Sequence, residues 1–261
     1  DMVFGFTEDG TNCLFALHAE SARARILDID IKKIGDIHYM FVAGSWRRGG
    51  FFKTCNLSTM ACTNQEFRGN VILRHVKRIS VNNEGTFVYM TSRDGNVSGF
   101  SLDLTDASPL GSVTTIDRKC ESVNNPTLRS DIMYATTVAV SPDNSNVLYT
   151  GSHVNHAIQK LELTDTTCTV VESIGAGINS VLANKGTSAD TDADDIRFSR
   201  VWGMHVNENG KILTATARGY VDEFNESAFT EVGRDTAWLQ QMGGPRLRRW
   251  DGVKNAINAI V

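Results

Sequence analysis

Asp194-Asp-Ile-Arg-Phe-Ser-Arg-Val-Trp-Gly-Met-His-Val-Asn-Glu-Asn-Gly-Lys-Ile-Leu-Thr-Ala-Thr-Ala-Arg-Gly-Tyr-Val-Asp-Glu-Phe224 is the stretch whose reading decides the fold. It runs as an apolar segment, an Asn/Glu/Gly turn, a second apolar segment, a short polar break and a third segment. Short apolar runs punctuated by turn residues that accept positive φ are the signature of antiparallel strands joined by tight turns.

Working outward, the second run of this unit has four counterparts. Leu14-Phe-Ala-Leu-His, Met40-Phe-Val-Ala-Gly-Ser, Val88-Tyr-Met-Thr-Ser-Arg and Leu148-Tyr-Thr-Gly-Ser-His align with Ile212-Leu-Thr-Ala-Thr-Ala. Four of the five follow a cluster of turn residues: Glu8-Asp-Gly, Asn82-Asn-Glu-Gly, Pro142-Asp-Asn-Ser and Asn207-Glu-Asn-Gly. Between Leu14 and Met40 the spacing is too short for a four-stranded unit, so a strand there is missing or supplied from elsewhere. Repetition of this kind predicts an all-β chain built as a β-propeller.

A blade takes about 40 to 45 residues, so the 261 residues predict one propeller domain over 1–261 with six blades, five being the alternative count. The run Val253-Lys-Asn-Ala-Ile-Asn-Ala-Ile-Val261 reads as an innermost strand, and Asp1-Met-Val-Phe-Gly-Phe as a strand already in progress. Pairing of the N- and C-terminal strands would close the ring and remove its exposed edge. The competing expectation is that the chain is part of a longer one.

Ile196-Arg-Phe-Ser-Arg-Val-Trp-Gly-Met-His-Val-Asn-Glu-Asn-Gly-Lys-Ile-Leu resembles an NHL repeat, and Ser152-His-Val-Asn-His-Ala-Ile-Gln-Lys-Leu resembles the second half of another. Asn155-His156 with Ile158 is similar to the segment that names that family. The resemblance extends over residues 175–225, 134–163 and 75–104, and includes the Gly175-Ala-Gly177 lead-in. It departs at Val201-Trp202, where the family carries Pro, and at Asn207, where it carries Asp. What it implies is a fold of NHL-like blades rather than an activity.

Hydrophobic residues make up 41% and charged residues 21%, with no apolar run of the roughly 20 residues that a spanning helix needs. A net charge of −4 lacks the basic excess of a phosphate-binding surface, so no nucleic-acid partner is expected. The clusters Arg47-Arg48, Arg74 to Arg78 and Arg246 to Arg249 read as solvated charge.

Cys55 and Cys62 flank a polar link between two strands, a geometry that brings thiols within bonding distance, and are expected to form a disulfide. Cys120 and Cys168 lie about one blade apart and could join neighbouring outer strands, leaving Cys13 or another thiol free. The spacing fits neither a redox nor a zinc motif. Sequons at Asn56, Asn96 and Asn225 are compatible with N-glycosylation. Together these features favour a secreted or cell-surface glycoprotein.

Three sites merit weighing. The alternating carboxylates Asp190, Asp192 and Asp194 copy the opening of a calcium loop, but Asp195 stands where an EF-hand needs Gly and Val201 where it needs Glu. A solvated loop is the favoured reading. The histidines His38, His75 and His205, with His153 and His156 farther out, would hold a divalent metal if three converged on the central channel. Such a site would be similar to those of peptidylamidoglycolate lyases and lactonases, yet no matched spacing joins them, and structural roles are favoured. Trp46, Arg47, Arg48 and Phe51, on a Gly-rich hairpin tip, are the interface candidates, because Trp and Arg are enriched at binding hot spots. Trp202 is expected to pack between blades, and Trp238 and Trp250 are the remaining tryptophans.

The sequence thus predicts a non-catalytic extracellular module that binds other proteins in a larger assembly, with no cofactor. The alternative is a metal-dependent propeller enzyme with its site at the central channel.

Overall fold

The computed structural model describes residues 2–6, 13–18, 25–46, 49–59, 61–68, 76–104, 118–122, 131–155, 157–164, 167–174, 201–206, 211–216, 221–225 and 230–235. All of its regular elements are strands. A two-stranded sheet pairs β1 (Met2–Phe6) with β2 (Cys13–His18). Four antiparallel sheets of four strands follow in chain order. The first holds β3 (Arg25–Ile34), β4 (Ile37–Trp46), β5 (Gly49–Asn56) and β6 (Ala61–Arg68). The second holds β7 (Arg78–Val81), β8 (Phe87–Thr91), β9 (Val97–Ser101) and β10 (Arg118–Cys120). The third holds β11 (Thr137–Val140), β12 (Val147–Ser152), β13 (Ala157–Leu163) and β14 (Cys168–Ile174), and the fourth β15 (Val201–Val206), β16 (Lys211–Thr216), β17 (Val221–Asn225) and β18 (Thr230–Asp235).

Each sheet is a simple meander, and its first strand lies against the first strand of the next: β3 by β7, β7 by β11, β11 by β15. Consecutive four-stranded sheets stacked face to face with their first strands side by side are propeller blades. Every run aligned in the sequence is the second strand of its sheet, from β2 to β16. The short spacing before Met40 corresponds to β1 and β2 standing as a pair among the described residues. Residues 236–261, and with them the expected closing strand, lie outside the described residues.

Three apolar layers hold the sheets together. Phe41 and Phe52 stack at 6.1 Å and pack on Ile79, Val81, Val88, Met90 and Phe100 between the first two sheets. Tyr89, Val138, Leu148 and Leu161 fill the next layer, and Tyr149, Ile158, Val201 and Ile212 the third. Burying one such side chain contributes about 1.5–3 kcal/mol, so the layers are the main cohesive term. Gly151 on β12 permits the third contact: a Cβ there would lie 2.5 Å from Val201 Cγ1 and 2.8 Å from Thr137 Cγ2.

Turn chemistry sets the strand register. Asn82 Oδ1 accepts from the backbone N–H groups of Thr86 (2.9 Å) and Phe87 (2.8 Å), pinning the turn between β7 and β8. Gly95 takes φ 78° in the next turn, where the Tyr134 ring covers it. Asn155, in the NHL-like segment, is buried, and the Ser152 Oγ–H donates to its Oδ1 (2.9 Å).

The expected Cys55–Cys62 disulfide is present, and so is a second bond, between Cys120 and Cys168, whose pairing the sequence leaves open. Cys55 and Cys62 are paired residues of β5 and β6, with Cα atoms 4.1 Å apart. Cys120 and Cys168 join β10 to β14, the outermost strands of the second and third sheets, across 5.3 Å between Cα atoms.

Candidate binding pocket at one end of the inner strands

The first strands carry side chains that bond to the next sheet. In β7 the Ile79 and Val81 N–H groups point away from β8 and donate to Asp28 Oδ2 (2.8 Å) and Asp30 Oδ2 (2.7 Å) of β3. These bonds advance in step along both strands, so β3 and β7 run in the same direction. Val140 N–H of β11 likewise donates to Ser80 Oγ (3.1 Å), and Thr136 Oγ1–H donates to Val201 O (3.0 Å).

Burial raises the Asp28 carboxyl to about 7, against the attraction of the Arg78 guanidinium and the Ile79 N–H bond. Burial raises Asp30 as well, opposed by Lys32. His205 on β15 is held down to about 4, first by burial and then by the Lys32 charge, so its imidazole is neutral at physiological pH.

Because the inner strands run together, their starts share one end of the stack. A cavity of about 380 Å³ opens there. Arg25 and Leu27 enter from β3, Val76 and Lys77 from the approach to β7 and Arg78 from its first position, Thr136 from just before β11, and Trp202 from β15. Ser45 and Arg93, at the far ends of β4 and β8, complete the wall. Among the described residues four cations line the pocket and no carboxylate does.

The pocket is braced from behind. Arg78 Nη1 donates to Leu27 O and Lys77 O, each at 3.0 Å. Lys77 Nζ donates to the Tyr134 hydroxyl (2.8 Å) and lies 4.5 Å from that ring's centroid, and the hydroxyl donates to Arg93 O. His153 meets Tyr134 edge-on and stacks on Trp202 at 4.9 Å. The Lys77–Arg78 part of the basic cluster is therefore engaged and half-buried rather than simply solvated.

The sequence-derived sites map onto this frame unevenly. Phe51 is 7% exposed, packed with Met40, Val42 and Cys55 and paired across from Gly44, which removes it from any surface. Cross-strand register, not the Gly-rich tip, decides where its ring points. The Trp46 side chain, Arg47 and Arg48 lie outside the described residues. Trp202 touches the preceding sheet through His153, yet 45% of it is exposed at the pocket. His38 is exposed on β4 and His205 half-buried on β15, whereas His75, His156, Trp238, Trp250 and the carboxylates Asp190, Asp192 and Asp194 fall outside. Among the described residues no three metal-ligating side chains converge.

Asn56 is half-exposed at the end of β5, its Oδ1 accepting from Ser58 N–H (2.9 Å) and Thr59 N–H (3.2 Å) of the following turn. Asn96 Oδ1 instead accepts from Ser122 N–H (2.8 Å) and Oγ–H (3.1 Å), and Ser98 of the same sequon is buried. The Asn225 side chain lies outside the described residues.

No protein-family model matches this chain, and no curated protein does. Among solved structures it is similar to the Cps50 (Swd1) β-propeller domain of Myceliophteria thermophila, with a TM-score of 0.48 and 11% identity. That likeness covers 83% of this chain and 56% of the other, so the chain spans little more than half of that protein's length.

Proposed function

We propose that this chain is a non-catalytic, extracellular protein-binding or assembly module built on NHL-like blades, six in number and closed by its terminal strands. The observation that carries the reading is the pocketed end. Cations from the first two sheets and a half-exposed tryptophan from the fourth converge on a preformed concavity, the composition of a recognition surface. Ser45, next to the end of β4, reaches the same wall, and we assign to this interface Trp46, Arg47 and Arg48, the next three residues of the chain. The two disulfides support an oxidising compartment, and no helix among the described residues is long and apolar enough to cross a membrane. Of the two sequons with described side chains, Asn56 is the one better presented for a glycan.

Crosslinking in native material, with the crosslinked residues mapped, tests this. Crosslinks to another protein concentrated around Ser45, Arg93 and Trp202 are expected; a surface that yields none at that end overturns the reading.

The second reading, a metal-dependent lyase-like or lactonase-like enzyme, draws on one observation: the neutral imidazole of His205 is competent to ligate a divalent ion. His75 would have to join it, with calcium at the carboxylates Asp190, Asp192 and Asp194 as the other metal option. Loss of a metal-dependent spectroscopic or calorimetric signal in His205→Ala would favour it.

A further inference from the structure

We propose that the cationic pocket receives a carboxylate-rich segment of a partner protein. The inference rests on the binding-module reading above and supplies its ligand chemistry.

The four cations are not equivalent. Arg78 is tied to two backbone carbonyls and faces the Asp28 carboxyl, and Lys77 is tied to Tyr134. Arg25 and Arg93 are exposed, and neither guanidinium has a hydrogen-bond or ion-pair partner among the described residues. Two planar forks standing on different walls of one cavity match carboxylate oxygens bidentately. The braced pair behind them keeps the local field positive in a chain of net charge −4, so an anion is drawn to this point of the surface rather than to the molecule at large.

The rest of the lining selects a peptide. Leu27, Val76 and the exposed face of Trp202 give apolar and aromatic area that a bare ion would leave unused. A volume of about 380 Å³ accepts a few side chains and excludes a folded domain. Peptide carboxylates next to apolar groups satisfy both halves of the lining, whereas a nucleic-acid backbone calls for a longer basic track than these residues provide.

The test is titration of the disulfide-intact chain with a labelled oligoglutamate peptide, followed by anisotropy and by tryptophan fluorescence. Oligoglutamine of equal length, inorganic phosphate and a single-stranded oligonucleotide serve as comparators. Trp202→Phe assigns the optical signal. Oligoglutamate is expected to bind, to weaken with rising salt, and to lose about ten-fold or more in affinity in Arg25→Glu with Arg93→Glu. Both residues are exposed, so an unchanged melting temperature certifies that variant. Arg93→Lys, which keeps the charge and loses the fork, should bind at an intermediate level. Equal binding by the charge-reversed variant, no binding of oligoglutamate, or preference for phosphate or the oligonucleotide overturns the proposal. Native crosslinks that persist in the charge-reversed variant while oligoglutamate fails to bind would sink this inference and leave the module reading standing. Absence of crosslinks with intact peptide binding would do the reverse.

Discussion

Removing the disulfide between β10 and β14 should cost far more stability than removing the one between β5 and β6. The two bonds close loops of very different length, with sequence separations of 48 and 7. In the chain-entropy treatment the unfolded state loses about 2.1 + 1.5R ln n cal/mol/K, which for the longer loop is about 14 cal/mol/K, or about 4 kcal/mol at 25 °C. The same expression gives about 2 kcal/mol for the shorter loop. The longer bond also lies against an apolar layer, where Cys120 is buried beside Leu148 and Leu161, so each pair is best replaced by alanine to avoid placing a hydroxyl there. Urea unfolding of C120A/C168A and C55A/C62A, followed by far-ultraviolet circular dichroism, reads both losses on one scale. A smaller shift for the β10–β14 pair than for the hairpin pair would refute the loop-length argument. A fall in m for C120A/C168A would show instead that the second and third sheets had ceased to unfold together.

Asp28 predicts a pH dependence of definite sign. Its carboxyl moves from 3.8 to about 7 on folding, so the folded state binds more protons within that window and stability falls as pH rises from about 4 to about 7. Asp28→Asn keeps an acceptor for Ile79 N–H and should flatten the profile of melting temperature against pH; an unchanged slope counts against the assignment. His205 works in the opposite sense: with its imidazole lowered from 6.5 to about 4, its contribution is complete above about 6.5 and is lost as pH falls toward 4. An NMR titration should place this ring's midpoint near 4, and a midpoint near 6.5 would contradict the buried setting. Gly151→Val forces β12 away from Val201 and should cost about 1–3 kcal/mol in urea unfolding, with a neutral result excluding the close approach.

What was legible in the sequence was local. The second strands were found because Asn82, Pro142 and Asn207 mark the turns before them, and the strands' apolar character is continuous where both faces are covered, as in β8 and β12. Cys55 with Cys62 is legible because seven positions separate them across one hairpin, whereas Cys120 and Cys168 meet only through the stacking of two sheets. Asp28 and Asp30 carry no such signal, because Asp28-Ile-Asp30-Ile reads as a strand with one solvated face. Their partners are backbone N–H groups 51 residues away, which no periodicity records. The burial of Phe51 is not legible in the sequence, because the face it occupies depends on its pairing with Gly44. The pocket was invisible for a related reason. Arg25, Lys77, Arg78 and Arg93 are scattered over nearly seventy positions and meet only because inner strands start at a common end.

The carboxylates of β3 also bear on how the molecule avoids its neighbours. A first strand is an edge: on the side away from β8, Ile79 and Val81 present N–H groups that another chain's extended segment could capture. Asp28 and Asp30 occupy those donors with groups that cannot propagate a ladder, and Ser80 does so for Val140 in the following sheet. Those inner edges of β7 and β11 are thereby closed to strand addition, and a chain lacking these side chains would be expected to lose its resistance to aggregation before it lost its fold.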